Sequence, residues 1–192
     1  MFQTTFFTSY LSLYVKEQFN VNSGMLGMLY SLTALSYVVC CVLAPMFLGS
    51  VPPRIQLSSS IWSLMITFIL FGPSPTLGLP NKYWIMCISS IFSGYGFCMP
   101  SILFTRVVKD RLTLKYKIVE GSNDALEKRL NDLNSLAFLV AQTFGTLIAP
   151  LIGALTYEWK GHRLTCDIFA VSYLVISILM TVFYTGFKPY ED

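Results

Sequence analysis

The chain alternates long apolar runs with short polar interruptions. Six runs have the length of a bilayer-crossing helix: residues 2–19, 24–47, 55–72, 82–107, 133–157 and 164–187. Turn-forming residues separate them. Asn20-Val21-Asn22-Ser23-Gly24 is a turn, and Gly49 to Arg54 is a short breaker holding Pro52 and Pro53. Pro73-Ser74-Pro75 and Gly78-Leu79-Pro80 make an uncharged loop, and Glu158 to Arg163 turns the chain before the last run. Only one polar segment is long, at residues 108–132. From Lys109 to Asp132 it holds eleven of the 23 charged residues, so it belongs in water. Within it, residues 125–133 predict a short helix along the membrane surface. The pattern predicts an all-α membrane protein, a single six-helix transmembrane bundle over residues 1–192.

The fifth run organises the rest. It carries no charge over the 25 residues from Leu133 to Tyr157, long enough to span hydrocarbon ~30 Å thick at ~1.5 Å per residue. Ala137, Ala141, Gly145, Ala149 and Gly153 recur every fourth residue and make one ridge without bulky side chains. Such a ridge lets a neighbouring helix approach closely, which is how helices associate where burial of apolar groups gives little drive. Pro150 interrupts the ladder of backbone bonds and predicts a bend or hinge. Asn134 and Gln142 are amides that cost free energy in lipid, so they should face protein or a wet cavity. The fourth run repeats the small-residue spacing at Ser90, Gly94 and Cys98, and Gly94, Gly96 and Pro100 make it a second bendable helix. In the second run, Gly24, Gly27 and Ser31 would allow close packing. In the first, Thr4, Thr8 and Ser12 share one stripe and Tyr10 and Tyr14 another. Those hydroxyls bond to backbone and neighbouring helices, or they line a solute path; both readings stand at this point.

Composition supports the membrane reading. The chain is 54% hydrophobic and 12% charged, and soluble domains usually carry about twice that charged share. Net charge is +3, too small to argue for nucleic acid. The basic residues of the long loop alternate with Asp110, Glu120, Asp124 and Glu127, which suits anionic lipid headgroups better. Six crossings put both termini and this loop on one side, with nine basic residues against four on the other. That excess places them in the cytoplasm or its organelle equivalent. The five cysteines form no C-x-x-C pair and read as small apolar filler. His162 is the only histidine and falls in a loop, so neither a metal site nor a nucleophile-base-acid set can be assembled. The expectation is a protein that is no enzyme and needs no cofactor.

Helices two and five both contain Ala-Pro near their ends, at Ala44-Pro45 and Ala149-Pro150, and Gly145, Pro150 and Gly153 spell G-x4-P-x2-G. With the turn Tyr157-Glu158-Trp159-Lys160-Gly161, this resembles the eleventh-to-twelfth helix region of the major facilitator superfamily, in its vesicular amine and polyamine transporter branch. Ser93-Gly94-Tyr95-Gly96-Phe97 with Pro100 is similar to the tenth helix of that branch, and Leu11, Leu13, Tyr14 and Phe19 resemble the seventh. The charged segment before Asp132 resembles the cytoplasmic loop between helices ten and eleven. The resemblance covers essentially the whole chain but only the second half of the family's twelve helices. It departs at Gly49 to Arg54, which lacks the acid usual there, and at Leu139, where monoamine carriers tend to have a buried acid. The centres of all six spans lack Asp, Glu, Lys and Arg. Cation binding would then need acids from another half, or aromatics and amides.

The resemblance implies half of a secondary-active solute transporter, working by alternating access around a midplane site on a small organic solute, an amine among the options. Tyr10, Tyr14, Asn134 and Gln142 would contact solute; Gly94, Pro100, Ala141, Gly145, Ala149, Pro150 and Gly153 would serve packing and bending. One half cannot enclose a substrate. The sequence would therefore be a fragment of a longer gene product, or pair with a separate second half, or pair with its own copy. The alternative is a transport-inactive, transporter-derived accessory subunit of a larger membrane complex.

Overall fold

The structure, a computed structural model, describes residues 10–48, 51–115 and 124–184. Among them there are helices and their connections and no strand. Helix α1 is Ser12–Phe19 and stops at Asn20, whose φ of 50° and ψ of 36° put it in the left-handed region. Asparagine tolerates that conformation, and the Asn20 N–H bonds to the Lys16 carbonyl at 3.1 Å. Helix α2 is Ser23–Leu48 and α3 is Pro53–Phe71. Proline at the first turn of α3 loses no hydrogen bond, because the N–H groups there have no intrahelical partner. The prolines read as a breaker therefore start the helix. Helix α4 is Tyr83–Lys115.

Asp124–Tyr184 is one helical stretch of 61 residues interrupted at Gly161, with φ 74° and ψ 170°. We number the part before the break α5 (124–160) and the part after it α6 (162–184). Three stretches are long and apolar enough to cross a membrane: Ser23–Ala44, Tyr83–Leu103 and Asn131–Val182. The third has 52 residues and contains the break, so at ~1.5 Å per residue it has length for two passages. Ile55–Phe71 is a shorter apolar helix.

Two expectations need correction. The short surface helix over residues 125–133 is the start of α5 itself, which runs on without interruption from Asp124. Its sequence, Ala125-Leu126-Glu127-Lys128-Arg129, is rich in helix formers and has no breaker. Gly24 and Gly27 do not mediate close packing among the described residues: both are exposed, and nothing lies within 4 Å of an added Cβ. The close approach of α2 comes lower, at Ser36 against Gly94.

Side-chain contacts fix the helix directions. Tyr10 meets Pro150 and Tyr157 while Tyr14 meets His162, so α1 and α5 run the same way. Phe68 packs on Phe169 and Tyr173 while Gly72 abuts Cys166, so α3 and α6 run oppositely. Tyr83 bonds to Met25, Ile91 to Ser36, and Cys98 lies beside Cys41, so α2 and α4 run parallel. Successive helices therefore alternate in direction. The α1–α2, α3–α4 and α5–α6 connections gather at one end of the bundle.

Helix α4 is the centre of the assembly, packed on both α2 and α3, and α6 packs on α3. Ser89, Ser90, Ser93, Gly94, Cys98 and Met99 are all buried on α4. The main cluster of buried apolar side chains sits at the connected end, around Leu11, Val15, Leu29, Phe68, Met86 and Phe169. A smaller one, Ala44, Met99 and Leu103, lies toward the other end.

Candidate functional site

The connected end is closed by a set of aromatic and polar side chains from four elements. Tyr14 on α1 is buried, stacks on the His162 ring at 4.0 Å between centroids, and donates its hydroxyl to Asn81 Oδ1 at 3.1 Å. Phe19 contacts Tyr14 edge-on at 6.1 Å and Tyr83 at 6.3 Å. The Tyr83 hydroxyl donates to the Met25 carbonyl at 2.6 Å, tying α4 to α2. Arg163 anchors the loop between α3 and α4: Nε donates to the Pro73 carbonyl at 2.7 Å and Nη2 to the Leu79 carbonyl at 3.1 Å. Thr76 in that loop donates to Asp167 Oδ2 at 3.0 Å. An Arg bonded to two backbone carbonyls satisfies groups that helix ends and turns leave unpaired.

His162 was read as a loop residue, yet it is only 3% exposed. The backbone turn at Gly161, with φ of 74°, needs glycine, and it folds the next residue inward against Tyr14. The polar run Glu158 to Arg163 gave no sign of this, because His162 alone of its charged or titratable side chains is buried. Nε2 lies 3.6 Å from Cys166 Sγ, and Nδ1 has no hydrogen-bond partner. Burial pushes the imidazole pKa down to about 4, with the nearby Phe71 backbone opposing this only in part.

The solute-contact residues expected from sequence do not come together. Tyr10 donates to the Pro150 carbonyl at 2.8 Å and stacks on Tyr157 at 5.7 Å. Tyr14 is in the closed end. Asn134 is buried near the opposite end of α5, and Gln142 is half-buried between them. Sixteen residues of helix separate Asn134 from Pro150, roughly 24 Å at ~1.5 Å per residue. Thr4 and Thr8 lie outside the described residues.

Of the packing and hinge residues, Gly94 makes the tightest contact. A Cβ there would overlap Ser36, meeting its backbone carbonyl carbon at 2.5 Å. Pro100 and Pro150 lie inside helices whose backbone stays helical on both sides. The small-residue ridge of α5 splits: Ala149 and Gly153 are buried, Gly145 is half-buried, and Ala137 and Ala141 are exposed.

Sequence reasoning missed a seam of hydroxyls between α3 and α4. Ser59 shares a hydrogen bond with the Tyr95 hydroxyl at 2.6 Å, Ser63 donates to the Phe92 carbonyl at 2.9 Å, and Ser89 donates to the Thr67 carbonyl at 2.7 Å. Ser59, Ser63 and Thr67 are four residues apart, the same signal that exposed the α5 ridge. Gly96 lets Leu64 close over the seam, its Cδ2 lying 2.5 Å from where a Cβ would stand. Beside the seam, α2 and α3 part to leave a groove of about 800 Å³ floored by Ile91, Phe92 and Tyr95. Leu35, Val39 and Trp62 wall it, and none of Tyr10, Tyr14, Asn134 or Gln142 lines it.

Among the described residues the arrangement joins helices through hydroxyls and small residues and seals one end. Comparison with known proteins identifies relatives over most of the chain. The chain is 26% identical over 182 residues to the MFS-type transporter SLC18B1 of Homo sapiens, a match that covers 91% of this chain and 37% of that protein. It is 25% identical over 179 residues to the proteins of the same name in Rattus norvegicus and Mus musculus, with the same coverage. The chain thus spans little more than a third of the length of these relatives. No family model matches it, and no solved structure does.

Proposed function

We infer that this chain, an all-helical membrane protein homologous to part of an MFS-type transporter, is one six-helix half of a secondary-active solute carrier. The observation that carries the inference is the extent of the homology, 91% of the chain against proteins named as transporters. The alternating helix directions support six crossings, spans at 2–19, 24–47, 55–72, 82–107, 133–157 and 164–187, and a common side for both termini and the 108–132 loop. The basic excess of that side favours the cytoplasm or its organelle equivalent.

A second half, whether from the same gene or a separate chain, would complete the cavity. Exposed apolar side chains on α2 and α5, such as Leu35, Val42, Leu139, Leu147 and Leu155, suit lipid or that partner. The exposed Ala137 and Ala141 leave part of the small-residue ridge available for another helix. With no ionised residue at the span centres, recognition of an amine in this half would rest on aromatics and amides, among them Tyr10, Tyr14, Asn134 and Gln142.

One observation favours the second reading, a transport-inactive accessory subunit. Tyr10 and Tyr14 already spend their rings and hydroxyls on contacts within the bundle. The test is to tag the protein in its own cells, purify it in mild detergent and reconstitute whatever assembly it belongs to. Accumulation of radiolabelled organic amines driven by an ion gradient supports the carrier. An assembly of many subunits whose vesicles accumulate none, whatever gradient is imposed, supports the accessory role.

A further inference from the structure

We propose that His162 is a proton-sensing latch: the closed end of the bundle stays shut only while this imidazole is neutral, and acid on that side opens it. The proposal concerns one end of the bundle and does not depend on transport.

The geometry is specific. The ring is enclosed by neighbours from α1, α3 and α5 and by Cys166 of its own helix. From α1, Tyr14 stacks on it at 4.0 Å; from α5, Tyr157 stands edge-on at 6.3 Å. From α6, the Cys166 thiol lies 3.6 Å from Nε2, and from α3 the uncharged Phe71 adds its backbone. The titratable or charged groups around the ring are Tyr14, Tyr157, Cys166 and the adjoining Arg163, and Glu17 on α1 faces Tyr157. None of the groups in contact with the ring itself is an acid. The acid on the same helix, Asp167, accepts its bond from Thr76 in the α3–α4 loop. Among the described residues Nδ1 makes no hydrogen bond, so the imidazolium would be a buried charge with only the nearby Phe71 backbone to offset it in part. The ring also sits in the first turn of α6, where unpaired N–H groups carry partial positive charge and disfavour a cation.

Protonation is thus disfavoured in the packed form relative to any form in which the ring reaches water. Opening would separate Tyr14 from His162, and with it α1 from the α5–α6 turn. The linkage has a definite sign. The closed-form pKa of about 4 lies below the ordinary 6.5, so the closed form is favoured at neutral pH and loses that advantage as pH falls below 6.5. With those two values, going from pH 7.5 to pH 5 raises the open-to-closed ratio roughly 30-fold.

The experiment is hydrogen exchange read by mass spectrometry on the protein in lipid nanodiscs at pH 7.5 and pH 5, corrected for intrinsic exchange chemistry. Peptides covering Tyr14 and His162 should exchange roughly 30-fold faster at the lower pH, while the α3–α4 hydroxyl seam should not change. H162Q, which cannot titrate in this range, should abolish the difference. Equal corrected exchange at both pH values, or a response that persists in H162Q, overturns the proposal. A second measurement needs no variant. His162 is the only histidine, so imidazole-labelled protein gives one NMR titration. A midpoint well below 6.5 is expected; a midpoint at 6.5 would mean the ring is solvated in the resting form and would overturn the latch.

Discussion

Ser36 on α2 occupies the space that a side chain on Gly94 of α4 would need. The Ser36 hydroxyl donates to the Ile91 carbonyl at 2.6 Å, so the small residue on one helix and the hydroxyl on the other act as one contact. In lipid, where burying apolar surface gives little drive, close backbone approach and interhelical hydrogen bonds are what hold two helices together. Gly94→Ala must push α2 away from α4, because the atoms it meets include Ser36 backbone. We expect a loss of about 1–3 kcal/mol, the usual effect of overpacking. Gly24→Ala, in open space, should leave stability unchanged or slightly raised. Thermal unfolding of both variants in detergent checks the pair; equal melting temperatures would remove Gly94 from the contact.

Tyr14 can be tested as a packing residue against its alternative as a solute contact. Tyr14→Phe keeps the stack on His162 and loses only the bond to Asn81, so stability should fall by about 0.5–1.5 kcal/mol. Tyr14→Ala leaves a cavity beside His162 and should cost about 3–5 kcal/mol. A phenylalanine variant of full stability that no longer binds solute would instead assign the hydroxyl to recognition.

Cys41 and Cys98 place their sulfurs 3.1 Å apart between α2 and α4. A disulfide needs ~2.05 Å, so about 1 Å of movement would bring the sulfurs to bonding distance. Copper-phenanthroline, supplied as oxidant, should remove one hydrogen from each thiol and join the two within the chain. Mass spectrometry of peptides should find that crosslink and none between Cys87 and Cys166. Cys41→Ser should abolish it. Full alkylation of both thiols after oxidation would show that α2 and α4 do not meet at this level.

The helices were legible where apolar runs meet Pro, Gly or charge, as at Pro73 after α3 and Lys82 before α4. Boundaries failed where polar sequence kept helical propensity. Arg106 to Lys115 contains no breaker, so α4 continues past the expected end, and the start of α5 is displaced for the same reason. The small-residue signal falls on buried positions on α4, at Ser90, Gly94 and Cys98, and on α5 at Ala149 and Gly153, with Ala137 and Ala141 exposed. It misled on α2, because glycine in a helix records permission for contact and not the presence of a neighbour. Serine was ambiguous: Ser63 reads equally as a residue bonding its own helix and as one bonding across, and only the position of Phe92 decides. The burial of His162 depends on one positive-φ glycine and on Tyr14, 148 residues away in sequence, and no local pattern encodes it.

The account turns on six antiparallel crossings with the charged loop and the closed end on opposite faces of the membrane. The most direct measurement is labelling of single cysteines in intact, oriented vesicles, in a background without the native five. Lys128→Cys, Leu77→Cys and Glu158→Cys all replace exposed residues. An impermeant maleimide applied from one side should label Lys128→Cys alone, and from the other side Leu77→Cys and Glu158→Cys alone. Labelling of Lys128→Cys from the same side as either of the others would contradict the account.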